Sequence, residues 1–405
     1  MEKIELLSPA GDFTKLKYAL RYGADAVYLS GTNFGMRAAC GNFDCDELSK
    51  AVEYTHSLGK KAYLTVNVMP HPNEMSGLEE YIESIKDIGI DAFIVADLGV
   101  MSIIKRIAPD SEIHISTQMS CTNYYTADYL HRLGAKRVVL ARELSLEEIR
   151  TIRKNTSKEL ELEIFVHGAM CMAYSGRCFL SANLTGRDGN RGKCAQPCRW
   201  IYKMTELNRP DDHIAVEEFE RGTAFFSSKD LCMIEHIPEL VESGVKSLKI
   251  EGRVKSAYYA AVTANTYRIA LDSYYKLGDK YSFDPLLLDE LDSVSHREYD
   301  TGFFYTSPNA DPKKVSFDGY IKEKGFLATV ESYDENTNKA VLRQYNKIYS
   351  NSTAGVLSPG KLTRTINVGQ LYDTCGEPIE SEPHPQKLFV MYPEIPLSEG
   401  DIIRG

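Results

Sequence analysis

Five cysteines crowd one stretch, HGAMCMAYSGRCFLSANLTGRDGNRGKCAQPCRW followed by SSKDLCMIEH, with the spacing Cys171-x6-Cys178-x15-Cys194-x3-Cys198-x33-Cys232. Thiolates are soft ligands, and four from one excursion of the chain can converge on a single metal centre, zinc or iron–sulfur. Structural zinc sites favour tight C-x2-C pairs. This spacing is looser, which turns the reading toward an iron–sulfur cluster; scattered structural thiols are the alternative. The same stretch is basic: Arg177, Arg187, Arg191, Lys193, Arg199 and Lys203 are opposed only by Asp188, and the single tryptophan, Trp200, lies among them. A basic surface with an aromatic ring can hold a phosphate backbone and stack an unpaired base. Arg187, Arg191, Lys193, Arg199 and Trp200 are therefore candidate RNA contacts, with a solvated loop over a packed Trp200 as the plainer alternative.

The elements that must position these groups follow from a recurring phrase. A helix ends in glycine, two residues follow, and an apolar strand begins: RYGADAVYLS, SLGKKAYLTVNV, DIGIDAFIVAD, RLGAKRVVLAR and ESGVKSLKIEG. Each glycine sits where a helix takes a left-handed cap. The strands are continuous apolar runs, the mark of parallel strands buried on both faces. Eight strands are expected: 4–9, 26–30, 61–68, 92–97, 112–118, 137–142, 162–167 and 246–251. With helices between them they make an α/β fold, a (β/α)8 TIM-like barrel. An open doubly wound sheet is the alternative, but the repeat lacks a Gly-rich dinucleotide turn.

On this reading residues 1–277 form the barrel, including a Cys-rich basic insertion at 168–245 between strands seven and eight. Part of that insertion reads as a helix, Met233–Glu242, and a long helix, Ser256–Leu277, closes the barrel. A polar connector spans 278–318, and 319–405 reads as a small all-β, barrel-like domain. In a TIM barrel the chemistry sits at the C-terminal ends of the strands. The polar residues expected there are Ser8, Arg37, Asn67, Asp97, Thr117, Gln118, Arg142, Glu143, His167, Lys249, Glu251 and Arg253. Arg37, Asn67, Gln118, Arg142, Lys249 and Arg253 would bind substrate, their cations suiting a small anionic co-substrate. His167, Asp97 and Glu251 are the candidate catalytic groups. Each has a structural alternative: Asp97 capping the helix that begins DLGVMSII, Glu251 paired with Arg253, and His167 buried and hydrogen-bonded.

The chain has 405 residues and a formal net charge of −10, so RNA would have to be met by a local basic patch rather than by the whole surface. The start, MEKIELLSPAGD, has no basic-then-apolar leader, and no uncharged apolar run reaches the roughly 18 residues of a membrane span. A cytoplasmic protein is expected, with its cysteines reduced or ligating.

The segments LSPAG, the Arg37 loop, ISTQ, EIFVHGAMCMAYSGRC, GNRGKCAQPCRW and KIEGR resemble the peptidase U32 family, also called collagenase-like proteases. The resemblance covers barrel, insertion and C-terminal region, and is nearest the branch that makes 5-hydroxyuridine at the tRNA wobble position. It implies oxygen-independent hydroxylation, a [4Fe–4S] cluster, prephenate as hydroxyl donor and the tRNA anticodon loop as partner. Some relatives work in pairs, so a second U32-family subunit is a further partner it implies. It assigns Cys171, Cys178, Cys194 and Cys232 as cluster ligands. Cys198 falls where some relatives place a ligand, which leaves the choice among Cys194, Cys198 and Cys232 open. Two alternatives stand beside this: a peptidase acting on protein, and a non-catalytic cluster-bearing module that binds RNA or a partner. There is no HExxH and no GxSxG, and a thiolate committed to a cluster cannot attack a peptide.

Overall fold

The computed structural model describes residues 3–36, 42–171, 173–200, 218–219, 222–223, 228–306, 320–321 and 324–405. Eight parallel strands run in order around a barrel: β1 (Glu5–Pro9), β2 (Ala26–Ser30), β3 (Lys61–Val66), β4 (Ala92–Val95), β5 (Glu112–Ile115), β6 (Arg137–Val139), β7 (Glu161–Ala169) and β8 (Ser247–Ile250). β8 pairs with both β1 and β7, which closes the sheet. The strands are buried nearly throughout, because helices cover the outside and the interior is filled by side chains.

Helices α1 (Phe13–Arg21), α2 (Cys45–Ser57), α3 (Met75–Ile85), α4 (Leu98–Ile107), α5 (Tyr124–Arg132) and α6 (Leu146–Lys154) separate the first seven strands. Their starts are fixed by side-chain caps. Asp44 and Ser145 form capping boxes with Glu47 and Glu148, and Asn123 accepts from the Thr126 amide. The glycines of the repeat, Gly23, Gly59, Gly89, Gly134 and Gly244, all have positive φ, as the phrase demands.

A polar network crosses the barrel interior near the N-terminal ends of the strands. Arg137 donates to Glu5 at 2.6 Å, to Glu161 at 2.7 Å and to Glu163 at 3.0 Å. Glu163 also accepts from Lys249 at 2.8 Å, and Tyr63 and Ser247 donate to Glu5. Burial would push the Glu163 carboxyl up, but Lys249 and Arg137 together hold it below the usual carboxylate range. Glu5 is held low in the same way, by Arg137 against the effect of burial. Burial, with Arg137 nearby, keeps His114 neutral.

β7 is longer than its sequence run suggests. Its last residues leave the parallel ladder and pair antiparallel with a short strand, Asp230–Cys232, in the register Asp230 to Ala169 and Cys232 to His167. That short strand also pairs with Tyr299–Asp300, and Arg297 donates to the Asp230 carboxylate at 2.8 Å. The insertion thus leaves and returns along neighbouring strands. The expected helix 233–242 is a 3-10 turn, Ile234–His236, running into a short helix, Ile237–Glu242.

The chain divides into two compact units: residues 1–20, 24–255 and 297–320, and residues 21–23, 256–296 and 321–405. The long helix Ala257–Leu277, assigned by sequence to the barrel, belongs to the second unit, which moves the boundary to Ser256. The reason lies in its polar anchors: Asn265 donates to the Lys361 carbonyl at 2.9 Å and accepts from the Gly360 amide at 2.7 Å. The unit also holds a short helix, Leu286–Asp292, and an eight-stranded antiparallel sheet. The segment FLATVESYDENTNKAVLRQ is the hairpin Phe326–Asp334 with Lys339–Gln344, flanked by Ile402–Arg404 and Leu388–Met391. Its core includes Val330, Leu342, Val356, Phe389, Met391 and Ile403.

Candidate active site

A cavity of about 450 Å³ opens at the C-terminal ends of the barrel strands. Asn67, Gln118, Arg142, Lys249, Glu251 and Arg253 line it, and so do Cys171, Cys178, Cys194 and Cys198. The fold therefore brings most of the sequence-derived ring onto the same space as four of the five insertion thiols.

Each ring residue is held by its neighbours. Asn67 accepts from the Met36 amide at 3.1 Å and donates to Ser116 Oγ at 3.3 Å. Ser116 caps the 3-10 turn Thr117–Met119 that carries Gln118. Arg142 lies over the Phe165 ring, 3.8 Å from its centroid, donating to the Ala169 carbonyl at 2.7 Å and to Glu251 at 3.1 Å. Lys249 reaches back to Glu163 and sits over the Tyr28 ring. Arg253 donates to Thr65 Oγ1 at 2.9 Å. Arg142 is paired with Glu251 and Lys249 with Glu163, and together with Arg253 they place cationic donors where a small anion could be held. Glu251 forms an ion pair with Arg142.

The remaining sequence candidates fall elsewhere. Asp97 accepts from the Val100 amide at 3.0 Å and caps α4, as its structural alternative has it, and it is not among the cavity residues. His167 is buried with its ring 5.4 Å from that of Tyr299 and is not among the cavity residues. Arg37 lies outside the described residues. Cys232 is buried on its short strand opposite His167 and does not line the cavity.

The cysteine loop is built by local hydrogen bonds. Asn190 brackets Cys178, accepting from its amide at 3.3 Å and donating to its carbonyl at 3.0 Å. Ser181 accepts from the Ala195 amide, and Cys194 Sγ accepts from the Gln196 amide at 3.3 Å. Gln196, in the left-handed region, starts the turn Pro197–Arg199 that carries Cys198. Burial pushes the Cys198 thiol up, Arg199 draws it back, and Cys171, Cys194 and Cys178 push it up again, which marks the four sulfurs as one neighbourhood. Among the described residues no three His, Cys, Asp or Glu side chains are already gathered tightly enough to hold a metal ion. In kind, four thiols on one cavity are the donor set of a soft metal centre.

The loop is fastened to the barrel at the β5 turn. Ser120 donates to the Ser175 carbonyl at 2.8 Å, and Arg177 donates to Ser120 Oγ. Gly176 has φ +77°, and a Cβ there would stand 2.5 Å from the Gln118 carbonyl oxygen, so only glycine lets the loop cross. The basic residues divide. Arg187 and Lys193 are exposed, Arg191 pairs with Glu74, and Arg199 donates to Gln196 and Tyr320. Trp200 is 44% exposed. Sequence reasoning missed Glu163 behind Lys249, and the aromatic pair Tyr174 and Phe179 on the cavity lining. The signal for the latter was two large aromatic residues flanking SGRC. Among the described residues no helix is long and apolar enough to cross a membrane.

Comparison with known proteins accords with this architecture. Residues 11–314 match the model of peptidase family U32, and residues 322–404 match the family's C-terminal domain. The chain is 38% identical over 389 residues to tRNA hydroxylation protein P1 of Bacillus subtilis (strain 168), covering 96% of this chain and 91% of that protein. It is 44% identical over 313 residues to tRNA hydroxylation protein P of Helicobacter pylori (strain ATCC 700392 / 26695), covering 76% and 73%. The 23S rRNA 5-hydroxycytidine C2501 synthase of Escherichia coli (strain K12) is 37% identical over 271 residues, covering 67% of this chain and 40% of that protein. Over both its barrel and its C-terminal unit, the chain belongs to peptidase family U32.

Proposed function

We propose that this protein is an RNA-modifying enzyme that hydroxylates tRNA, converting the wobble uridine to 5-hydroxyuridine without molecular oxygen. The observation that carries the reading is the meeting of four thiols and three fixed cations on one cavity at the barrel mouth. The names of the relatives, two tRNA hydroxylation proteins and one rRNA hydroxycytidine synthase, support the substrate class.

In this reading Cys171, Cys178, Cys194 and Cys198 hold a [4Fe–4S] cluster. The donor set fits in chemistry and number, and Cys198 takes the place that the family resemblance gave to Cys232. When bound, the cluster supplies electron transfer or Lewis acidity beside the base. Arg142, Lys249 and Arg253 bind the carboxylates of a small donor, for which prephenate is our choice. The Gln118 amide faces the edge of the base. The donor loses its C–OH oxygen and is reduced by two electrons; uridine C5 gains that oxygen and is oxidised by two. Glu251, oriented by Arg142, takes the proton displaced from C5 and returns it to the donor carbon that has lost its oxygen. The insertion's exposed Arg187 and Lys193 meet the phosphate backbone of the anticodon loop.

The test is mass spectrometry of tRNA nucleosides from cells with and without the gene, with iron and sulfide analysis of anaerobically purified protein. Loss of wobble 5-hydroxyuridine on deletion, restored by the wild-type gene and not by Arg142→Ala, is expected. Unchanged 5-hydroxyuridine in the deletion strain would refute the RNA role.

A further inference from the structure

Tyr174 and Phe179 both line the barrel-mouth cavity, yet they remain 43% and 66% exposed. They bracket Gly176, Arg177 and Cys178, the part of the loop pinned to Ser120 and bracketed by Asn190, so their backbone is held rather than adrift. Arg177 between them is exposed, and Arg187 and Lys193 are exposed further along the same insertion. Rings that present a π-face beside cations match the chemistry of an unpaired nucleotide: the base stacks and the phosphate is neutralised. An apolar partner protein would gain nothing from the cations, and a duplex offers no free base face.

We propose that Tyr174 and Phe179 form a stacking subsite at the mouth of the cavity for an unpaired nucleobase next to the one that enters it. The subsite rests on the RNA reading above and adds to it the residues that grip the single strand. It acts on binding and context preference rather than on the chemical step.

The experiment uses the full chain, purified anaerobically, and an anticodon stem-loop RNA carrying 2-aminopurine beside the wobble uridine. Fluorescence anisotropy reads affinity, and quenching of 2-aminopurine reads stacking. Tyr174→Leu and Phe179→Leu keep apolar bulk and lose the ring. Each is expected to weaken binding roughly 5- to 100-fold and to restore 2-aminopurine fluorescence. Tyr174→Phe and Phe179→Tyr are expected to bind and quench like wild type, and Tyr349→Ala, in the second unit, to change neither. Wild-type affinity and quenching in the Tyr174→Leu/Phe179→Leu double variant would overturn the subsite while leaving the RNA reading intact. Failure of the wild-type protein itself to bind the stem-loop would overturn both. A shift in sedimentation of the double variant with RNA binding unchanged would assign the rings to a protein contact and also overturn the subsite.

Discussion

Glu163 Oε1 lies 2.8 Å from the Lys249 ammonium, and its Oε2 lies 3.0 Å from Arg137 Nη1, so one buried carboxylate joins the barrel's interior network to the floor of the cavity. Lys249 faces the cavity at one end of this relay, while Arg137 gathers Glu5 and Glu161 at the other.

Glu163→Gln removes the charge that balances Lys249 in the interior. Breaking a buried pair by removing one partner costs about 3–5 kcal/mol, and chemical denaturation should show a loss of that order. Adding Lys249→Met should recover much of it. A double variant no more stable than Glu163→Gln alone would mean that the two groups are not coupled.

Acid should weaken the barrel through the same residues. The Glu5 and Glu163 carboxyls are held below their ordinary range in the folded state by Arg137 and Lys249, against burial. Between those values and the unfolded glutamate value of about 4.3, the unfolded chain binds more protons. The stabilisation is therefore complete above that pH and is lost as pH falls through the depressed folded values. Melting temperatures should drop steeply below about pH 4 in wild type and less steeply in Glu163→Gln. Parallel curves would contradict the assignment.

Gly176→Ala should dislodge the cysteine loop without unfolding the barrel. Alanine there meets the Gln118 carbonyl oxygen and an unfavourable φ, a local cost of about 1–3 kcal/mol. Hydrogen exchange should rise across 173–200 and stay unchanged in β1–β4. Unaltered exchange in the loop would show that the crossing is not constrained.

Cys198→Ser and Cys232→Ser should separate the two ligand assignments. After anaerobic reconstitution, Cys198→Ser is expected to lose iron, sulfide and visible charge-transfer absorbance, and Cys232→Ser to retain them. The reverse pattern would return the ligand role to Cys232.

The barrel was legible because one local rule repeats five times: a left-handed glycine after a helix and an apolar run after the glycine. The strand-end ring was legible for the same reason, since Asn67, Gln118, Arg142, Lys249, Glu251 and Arg253 all follow from the placement of strand termini. Asp97 was ambiguous because the same carboxylate that ends a strand caps the next helix, and that cap is made. The inner network was not legible. Glu5, Arg137 and Glu163 lie near strand starts, where charge ordinarily means exposure, and only the closed barrel turns them onto one another. Spacing alone could not tell that Cys198 lines the cavity and Cys232 does not, because that depends on the turn at Gln196–Arg199, a matter of backbone conformation.

The pairing of the end of β7 with Asp230–Cys232 has a consequence for how such proteins diversify. The outgoing and incoming chains are zipped together before the excursion begins, so the entropy of bringing its ends together is met by the sheet. What lies beyond that zipper can lengthen, shorten or be exchanged as a cassette while β8 still finds β1 and β7. A barrel with this junction is a socket into which different recognition loops can be plugged.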